Sequence, residues 1–180
     1  MSVNRLSCIA ALLALVAAAG NAAAADTRGK LDAGLANHGY HEQPPWFKQR
    51  FLILREDIDE AARRGRRVML YFYQDGCPYC LKTLRDNLGQ KALAGKTQKH
   101  FDVISVNIWG DREVVAPAGK AAAEKDFARA LRIQFTPTFL MFDEAGRVVL
   151  RLNGYTPPAK FDAALDFAGG KLEKHGEFAD

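Results

Sequence analysis

Cysteine is scarce in this sequence, whose 180 residues include only Cys8, Cys77 and Cys80. So few cysteines exclude a small domain held together by several disulfides, and a chain of this length can bury a core without them. A second Cys-x-x-Cys pair is also missing, and the four histidines have no ligand-like spacing to the first pair. The sequence therefore gives little support for a zinc site, and we expect no metal and no cofactor.

A strong excess of charge of one sign is lacking as well. The sequence has 25 Lys and Arg against 21 Asp and Glu, a formal net charge of +4. This balance is too mild to indicate binding to nucleic acid or to a membrane surface. We therefore expect no nucleic-acid partner.

Long apolar runs are missing too. The run Ile9–Ala19 is far shorter than the roughly 20 residues that span a bilayer. It follows the basic Arg5 and precedes the small residues Ala23-Ala24-Ala25, the pattern of a cleaved secretory signal. We predict a signal peptide over residues 1–25, with a retained anchor as the alternative. Cys8 leaves with this peptide, and the mature protein keeps two cysteines.

One domain accounts for the rest of the chain. Residues 26–46 show no period and are predicted to form an extended arm, and residues 47–180 to form the domain. Its first segment is a predicted helix that ends at Gly65, because apolar residues recur in steps of four and three. These residues are Phe47, Phe51, Leu54, Ile58 and Ala61.

Strands and helices alternate after this first helix. The apolar runs predict four strands: Val68–Tyr73, Val103–Ile108, Phe139–Phe142 and Val148–Leu152, the last two joined as a hairpin. The helical patterns predict three more helices. The first begins at Pro78, is interrupted near Gly89 and continues to about His100, and the second is Ala121–Leu131, with Phe127, Ala130 and Leu131 facing the core. The last begins at Pro157-Pro158 and has Phe161, Ala164, Leu165 and Ala168 on one face. The predicted fold class is α/β, with a central mixed sheet and an added N-terminal helix.

The two remaining cysteines stand three residues apart as Cys77-Pro78-Tyr79-Cys80, directly after a predicted buried strand. At the start of a helix, unsatisfied N–H groups and the helix dipole favour a thiolate, so we expect the pKa of the Cys77 thiol to lie below its ordinary value. Cys77 is the predicted attacking residue, and Cys80, one turn deeper, the resolving residue. Half a zinc site, two inert core cysteines and a merely local disulfide remain as alternatives.

These residues resemble the thioredoxin superfamily. The resemblance covers about Val68 to Ala168 and includes Thr136-Pro137-Thr138 before a later strand. It implies a thioredoxin-like fold, a cis Pro137 beside the cysteines, and a Thr136 whose backbone pairs with the substrate chain. Pro78 and Tyr79 then join the expected substrate-binding residues. A plain proline at the strand edge is the alternative for Pro137.

A narrower resemblance concerns the periplasmic thioredoxins of the thiosulfate-oxidising Sox system, the SoxW type. The segment Asn107–Val114 is similar to one in that family, as are the stretches Gln74–Cys80 and Phe135–Thr138. This resemblance implies a periplasmic protein that keeps thiols of Sox proteins reduced and takes electrons from a membrane thiol transporter. Trp109 follows the second strand, where open α/β sheets place their sites, and is predicted to bind clients or to serve as ordinary packing.

Several positions depart from typical thioredoxins. Tyr71 stands where they carry a buried Asp, and Gly76 where they carry a Trp. The Pro-Tyr dipeptide is that of glutaredoxins, but their Gly-Gly glutathione clamp is not evident at Asn153-Gly154. The direction of electron flow therefore stays open, and a DsbA-like oxidant or a cytochrome c maturation factor is the alternative to a reductase. A non-catalytic peptide-binding module is a further alternative, against which the cysteine pair argues.

Overall fold

The computed structural model describes residues 42–178. The predicted signal peptide and most of the predicted arm lie outside these residues. Six strands occur in the described part: β1 (Arg67–Tyr73), β2 (Phe101–Asn107), β3 (Glu113–Val115), β4 (Ala121–Ala123), β5 (Thr138–Phe142) and β6 (Val148–Asn153). The α-helices of this part are α1 (Leu54–Arg63), α2 (Pro78–Thr83), α3 (Lys91–His100), α4 (Glu124–Ala130) and α5 (Pro158–Gly169). A π-helical turn, Leu84–Leu88, extends α2, and a 3₁₀ turn, Leu172–Lys174, follows α5.

A four-stranded sheet in the order β2-β1-β5-β6 forms the centre of the molecule. β1 runs parallel to β2, from Arg67 opposite Phe101 to Tyr73 opposite Asn107. β5 is antiparallel to both β1 and β6. The predicted α/β class with a central mixed sheet is thus confirmed, and the carboxyl ends of β1 and β2 meet at one edge of the sheet.

Apolar side chains cover the two faces of this sheet. Because neighbouring residues of a strand point to opposite faces, Met69 and Tyr71 of β1 join one buried cluster while Leu70 and Phe72 join the other. α2, α3 and α5 pack on the first face, and this cluster contains both Cys77 and Cys80. α1 and α4 pack on the second face. None of the described helices is long and apolar enough to cross a membrane.

The first helix begins later than predicted. It starts at Leu54, and the residues before it are extended: the Lys48 N–H donates to the Val103 carbonyl, and Ile53 forms a parallel bridge with Val115. Leu52 has a φ of 43°, which no helix accommodates. Phe47 is nevertheless buried, while Phe51 is 91% exposed. The expected helical position of these two residues was therefore wrong, because backbone pairing overrides the apolar spacing.

The alanine-rich segment also differs from the prediction. Ala121–Ala123 is β4, which pairs with β3 in a small antiparallel sheet, and the helix begins only at Glu124. Alanine favours helices, so only the pairing with a strand that the sequence did not reveal explains β4. Phe127 is buried as expected, but Ala130 is exposed. Ala128 takes the place in the core that we expected for Ala130.

A buried cation connects the far end of β1 to the C-terminal part of the chain. Arg67 is 3% exposed, and its guanidinium donates to the Ala168 carbonyl at 2.5 Å and to the carboxylates of Glu144 and Glu173. The hydrogen bonds from Arg67, opposed by burial and assisted by Lys171, hold the pKa of Glu144 at about 2. This cluster lies at the opposite end of β1 from the cysteines and therefore stabilises the fold rather than the site.

Candidate active site

The turn after β1 presents the cysteine pair. Gly76 has a φ of 71°, a left-handed conformation that glycine adopts without strain, and it redirects the chain into α2. Cys77 is the N-cap residue of α2, and Pro78 occupies the first helical position, where a missing N–H costs nothing. Cys77 and Cys80 form a disulfide with their Cα atoms 5.2 Å apart. The predicted strand–turn–helix setting of the pair is therefore present.

The two cysteines differ in their exposure to solvent. Cys77 is 3% exposed and Cys80 is completely buried. Both sulfur atoms are thus largely covered, and a partner thiol can approach from the Cys77 side. The Cys77 sulfur accepts the N–H of Cys80 at 3.0 Å and the hydroxyl of Thr136 at 3.4 Å. Both donors stabilise negative charge on this sulfur once the disulfide opens.

Pro137 directly follows Thr136, whose hydroxyl contacts the Cys77 sulfur. The Thr136–Pro137 peptide bond is cis, as the resemblance implied. The carbonyl of Pro137 accepts the N–H of Gly154 at 2.7 Å, which joins the start of β5 to the loop after β6. Thr136 faces the Cys77 sulfur and is partly exposed, so its backbone is accessible beside the cysteine pair.

A cleft of about 540 Å³ opens beside this site. Trp109 and Phe135 stand out on it as exposed rings, 68% and 60% accessible. The described residues that form the cleft are all uncharged: Gln74, Tyr79, Ile108, Trp109, Gln134, Phe135, Thr136, Gly154 and Tyr155. Tyr79, Trp109 and Thr136 were expected at the site. Phe135, Tyr155, Gln74 and Gln134 were missed as lining residues, although Phe135 directly precedes the Thr-Pro-Thr motif.

Trp109 reaches the cleft because β1 and β2 are parallel and end side by side. Its indole N–H donates to Gln74 Oε1 at 2.8 Å, and its backbone N–H donates to Asn107 Oδ1 at 3.0 Å. Gln74 belongs to the turn that carries Cys77, so the hydrogen bond ties the Trp109 loop to that turn. The exposure of the Trp109 ring favours the interpretation as a contact surface over ordinary packing.

Tyr155 is fixed in place by neighbours on the helical segment that begins with the cysteines. Its hydroxyl donates to Asp86 Oδ2 at 2.9 Å, and Lys82 lies 4.8 Å from the centre of its ring. Burial opposes ionisation of Asp86, but hydrogen bonds from Arg85, Lys82 and Tyr155 hold its pKa at about 2. Asp86 therefore stays ionised over the neutral range of pH and keeps its acceptor for the Tyr155 hydroxyl at the edge of the cleft.

Tyr71 lies behind Cys80 in the core. Its hydroxyl is 3.5 Å from the Cys80 carbonyl oxygen, and its ring packs between Phe47, Tyr73 and Phe139. Burial, with a smaller effect of Tyr73, raises the pKa of the Tyr71 phenol far above its ordinary value. Tyr71 therefore stays protonated at neutral pH and offers no general base beside Cys80. Among the described residues, no cluster of three or more His, Cys, Asp or Glu could hold a metal ion.

An α/β sheet with a disulfide at a helix N-terminus and a cis proline opposite it defines the thioredoxin-fold class of proteins. The family model of the thioredoxin-like domain matches residues 54–169, and the chain belongs to this family. No curated protein matches the sequence at a significant level.

Solved structures support the same assignment. A thioredoxin-fold protein from Helicobacter pylori is 26% identical, with a TM-score of 0.54, over 69% of this chain and 84% of that chain. A thioredoxin from Thermus thermophilus is 29% identical, with a TM-score of 0.50, over 71% and 95%. The oxidoreductase DsbH is only 13% identical, with a TM-score of 0.51 over 75% and 95%, and shows likeness of fold alone.

Proposed function

We propose that this protein is a periplasmic thiol–disulfide oxidoreductase that reduces disulfide bonds in client proteins of the thiosulfate-oxidising Sox pathway. The observation that carries the thiol chemistry is the Cys77–Cys80 disulfide, whose outer sulfur accepts two hydrogen bonds at the start of α2. Membership of the thioredoxin-like family supports the same chemistry. The location and the Sox role rest on the signal-like leader and on the resemblance of Asn107–Val114.

The reaction moves two electrons from the protein to its client. In the reduced protein, the Cys77 thiolate attacks one sulfur of the client disulfide, a mixed disulfide forms, and the other client sulfur leaves as a thiolate that takes up a proton. Cys80 then loses its proton and attacks the Cys77 sulfur. The client departs as a dithiol, and the Cys77–Cys80 disulfide remains. A membrane thiol-electron transporter supplies the two electrons and two protons that restore the dithiol.

The cleft favours a protein client over a small charged thiol. Glutathione carries two carboxylates and an ammonium group, and none of the cleft-lining side chains in the described part of the chain offers an opposite charge. Aromatic rings flanked by amide and hydroxyl groups suit an extended, uncharged polypeptide segment instead. No cofactor is required, because the electrons are carried by the cysteine pair.

Single cysteine variants test this function. The mature protein with Cys80→Ser should trap a disulfide-bonded complex with its client, because Cys77 still attacks but nothing resolves the product. The matched variant Cys77→Ser should form no complex and should lose reduction of a protein disulfide such as that of insulin. A Cys77→Ser protein that reduces insulin at the normal rate would contradict the proposal. A double Cys77→Ala/Cys80→Ala variant that supports Sox activity normally would contradict it as well.

The direction of electron flow is tested by the reduction potential of the pair. A value near that of thioredoxin, about −270 mV, supports a reductase that needs a dedicated electron supply. A value near that of DsbA, about −120 mV, would instead make the protein an oxidant and remove the Sox role.

A further inference from the structure

Glu124 is a buried carboxylate that takes no part in the disulfide site. It is the first residue of α4 and is 1% exposed, which is rare for a glutamate unless its charge is paired. Its Oε1 accepts the backbone N–H of Asn107 at 2.9 Å and the Arg112 guanidinium at 2.6 Å. Asn107 ends β2 and Arg112 lies in the loop that follows, so the two donors stand on either side of Trp109.

The loop between these two donors is folded closely around Glu124. The Glu124 N–H donates to the Arg112 carbonyl at 2.9 Å, and the Lys125 N–H donates to the Gly110 carbonyl at 3.1 Å. Arg112 also donates to the Ser105 carbonyl at 2.9 Å. A Cβ on Gly110 would collide with Glu124 Oε2, so only glycine allows this approach.

The hydrogen bonds continue from Glu124 to the exposed indole. Asn107 donates its N–H to Glu124 and accepts the Trp109 N–H through its side chain, while the Trp109 ring is held by Gln74. Holding a large exposed ring in one orientation before a partner arrives lowers the entropy lost on binding. The ring is 68% exposed and therefore contributes little to the packing of the described domain.

We propose that Glu124 is a positioning residue, which holds the Ile108–Arg112 loop so that Trp109 forms a fixed wall of the cleft for protein clients. This inference rests on the proposed function. Glu124 acts through Trp109 and not on the sulfur atoms, so it affects the binding of a polypeptide far more than the reaction of a disulfide too small to reach the indole.

The test compares two substrates in the mature protein. Glu124→Gln keeps the size of the side chain and an acceptor for Asn107 but leaves Arg112 without its carboxylate. For this variant, kcat/KM for insulin should fall about tenfold more than kcat/KM for hydroxyethyl disulfide, mainly through KM, as expected from the loss of one aromatic contact. Trp109→Ala should show the same difference between the two substrates, and the double variant should show no further loss of kcat/KM for insulin.

Two further variants separate positioning from general stability. Gly110→Ala should reproduce the larger loss of kcat/KM for insulin, because the added Cβ pushes the loop away from Glu124 without changing any charge. Asp126→Asn, which removes the exposed ion pair with Arg129 on the same helix, should leave the ratio of the two substrates unchanged. Melting temperatures of all variants report their stability.

A Glu124→Gln protein that melts earlier but keeps the wild-type ratio would overturn the inference and show a purely structural role. An equal loss on both substrates would also overturn it, because Glu124 would then act on the cysteines. If the wild-type protein reduces neither substrate, the proposed function fails and the inference falls with it; if the wild type is active and the ratio does not move, only the inference fails.

Discussion

The hydroxyl of Thr136 is predicted to raise the reduction potential of the cysteine pair. It donates to the Cys77 sulfur at 3.4 Å, and the side chain is only partly exposed. Thr136→Val removes the hydroxyl and keeps the branched shape. The Cys77 thiolate of the reduced protein then loses a donor, whereas the disulfide has no charge to lose. The substitution should therefore raise the pKa of the Cys77 thiol and make the pair more reducing.

The size of this effect follows from the hydrogen bond. A bond to a charged acceptor contributes about 1.5–3 kcal/mol. The length of 3.4 Å and the partial access of solvent to Thr136 reduce this value, and about 1 kcal/mol is a reasonable expectation. For a two-electron couple, about 1 kcal/mol corresponds to roughly 20 mV, so the reduction potential should become roughly 20 mV more negative.

Equilibration of the purified protein in redox buffers at neutral pH measures this change, and the ultraviolet absorbance of the thiolate follows the titration of Cys77. Thr136→Ser is the matched control, because it keeps the hydroxyl and should keep the wild-type potential. A Thr136→Val protein with an unchanged potential, or with a less negative one, would refute the role of this hydrogen bond.

Two further predictions concern the stability of the domain. Phe161 is fully buried with its ring centre 5.2 Å from that of Phe139, so Phe161→Ala should cost about 3–5 kcal/mol in urea denaturation. The matched change at the 91% exposed Phe51 should cost less than about 0.5 kcal/mol, and equal costs would contradict the assigned core. Because the hydrogen bond from Arg67 lowers the pKa of Glu144 from 4.5 to about 2, Glu144 stabilises the fold above its ordinary pKa, and this contribution disappears as the pH falls from about 4.5 toward 2. Glu144→Gln should flatten the dependence of the urea midpoint on pH in this window, and an unchanged slope would rule out the contribution.

The elements that positioned the cysteines could be predicted because their signals are local. Val68–Tyr73 is a continuous apolar run, which is typical of a strand covered on both faces, and the structure has β1 at Arg67–Tyr73. Pro78 marks the start of α2, and the helical pattern after Gly89 ends at His100, as predicted. In each case the propensity of the segment and its burial point to the same conformation.

The errors occurred where pairing with another segment decides the conformation. Phe47 and Phe51 have helical spacing, but the chain at Lys48 pairs with Val103 across many residues of sequence. Ala121–Ala123 has a composition typical of a helix, and only its pairing with β3 makes it a strand. Neither partner can be identified from the segment itself.

The site shows the same division. Cys77, Cys80, Thr136 and Pro137 belong to short motifs that can be recognised in the sequence. Their position beside one cleft that Thr136, Phe135 and Tyr155 line depends on the order of the strands, which brings the ends of β1, β2 and β6 together. The role of Glu124 depends on contacts between two loops, and no local pattern marks it.

The two sulfur atoms belong both to the reactive pair and to the buried core around Tyr71 and Phe139. Folding and reduction of the pair therefore belong to one thermodynamic cycle. If the folded core stabilises one redox form more than the other, the redox equilibrium between the pair and the surrounding thiols shifts by the same free energy. If the dithiol form unfolds at the higher temperature, the fold favours reduction of its own cysteines and the protein tends to oxidise its clients. If the disulfide form is the more heat-resistant, the protein tends to reduce them. Two melting curves, recorded without any client, thus report which way the fold drives the electrons.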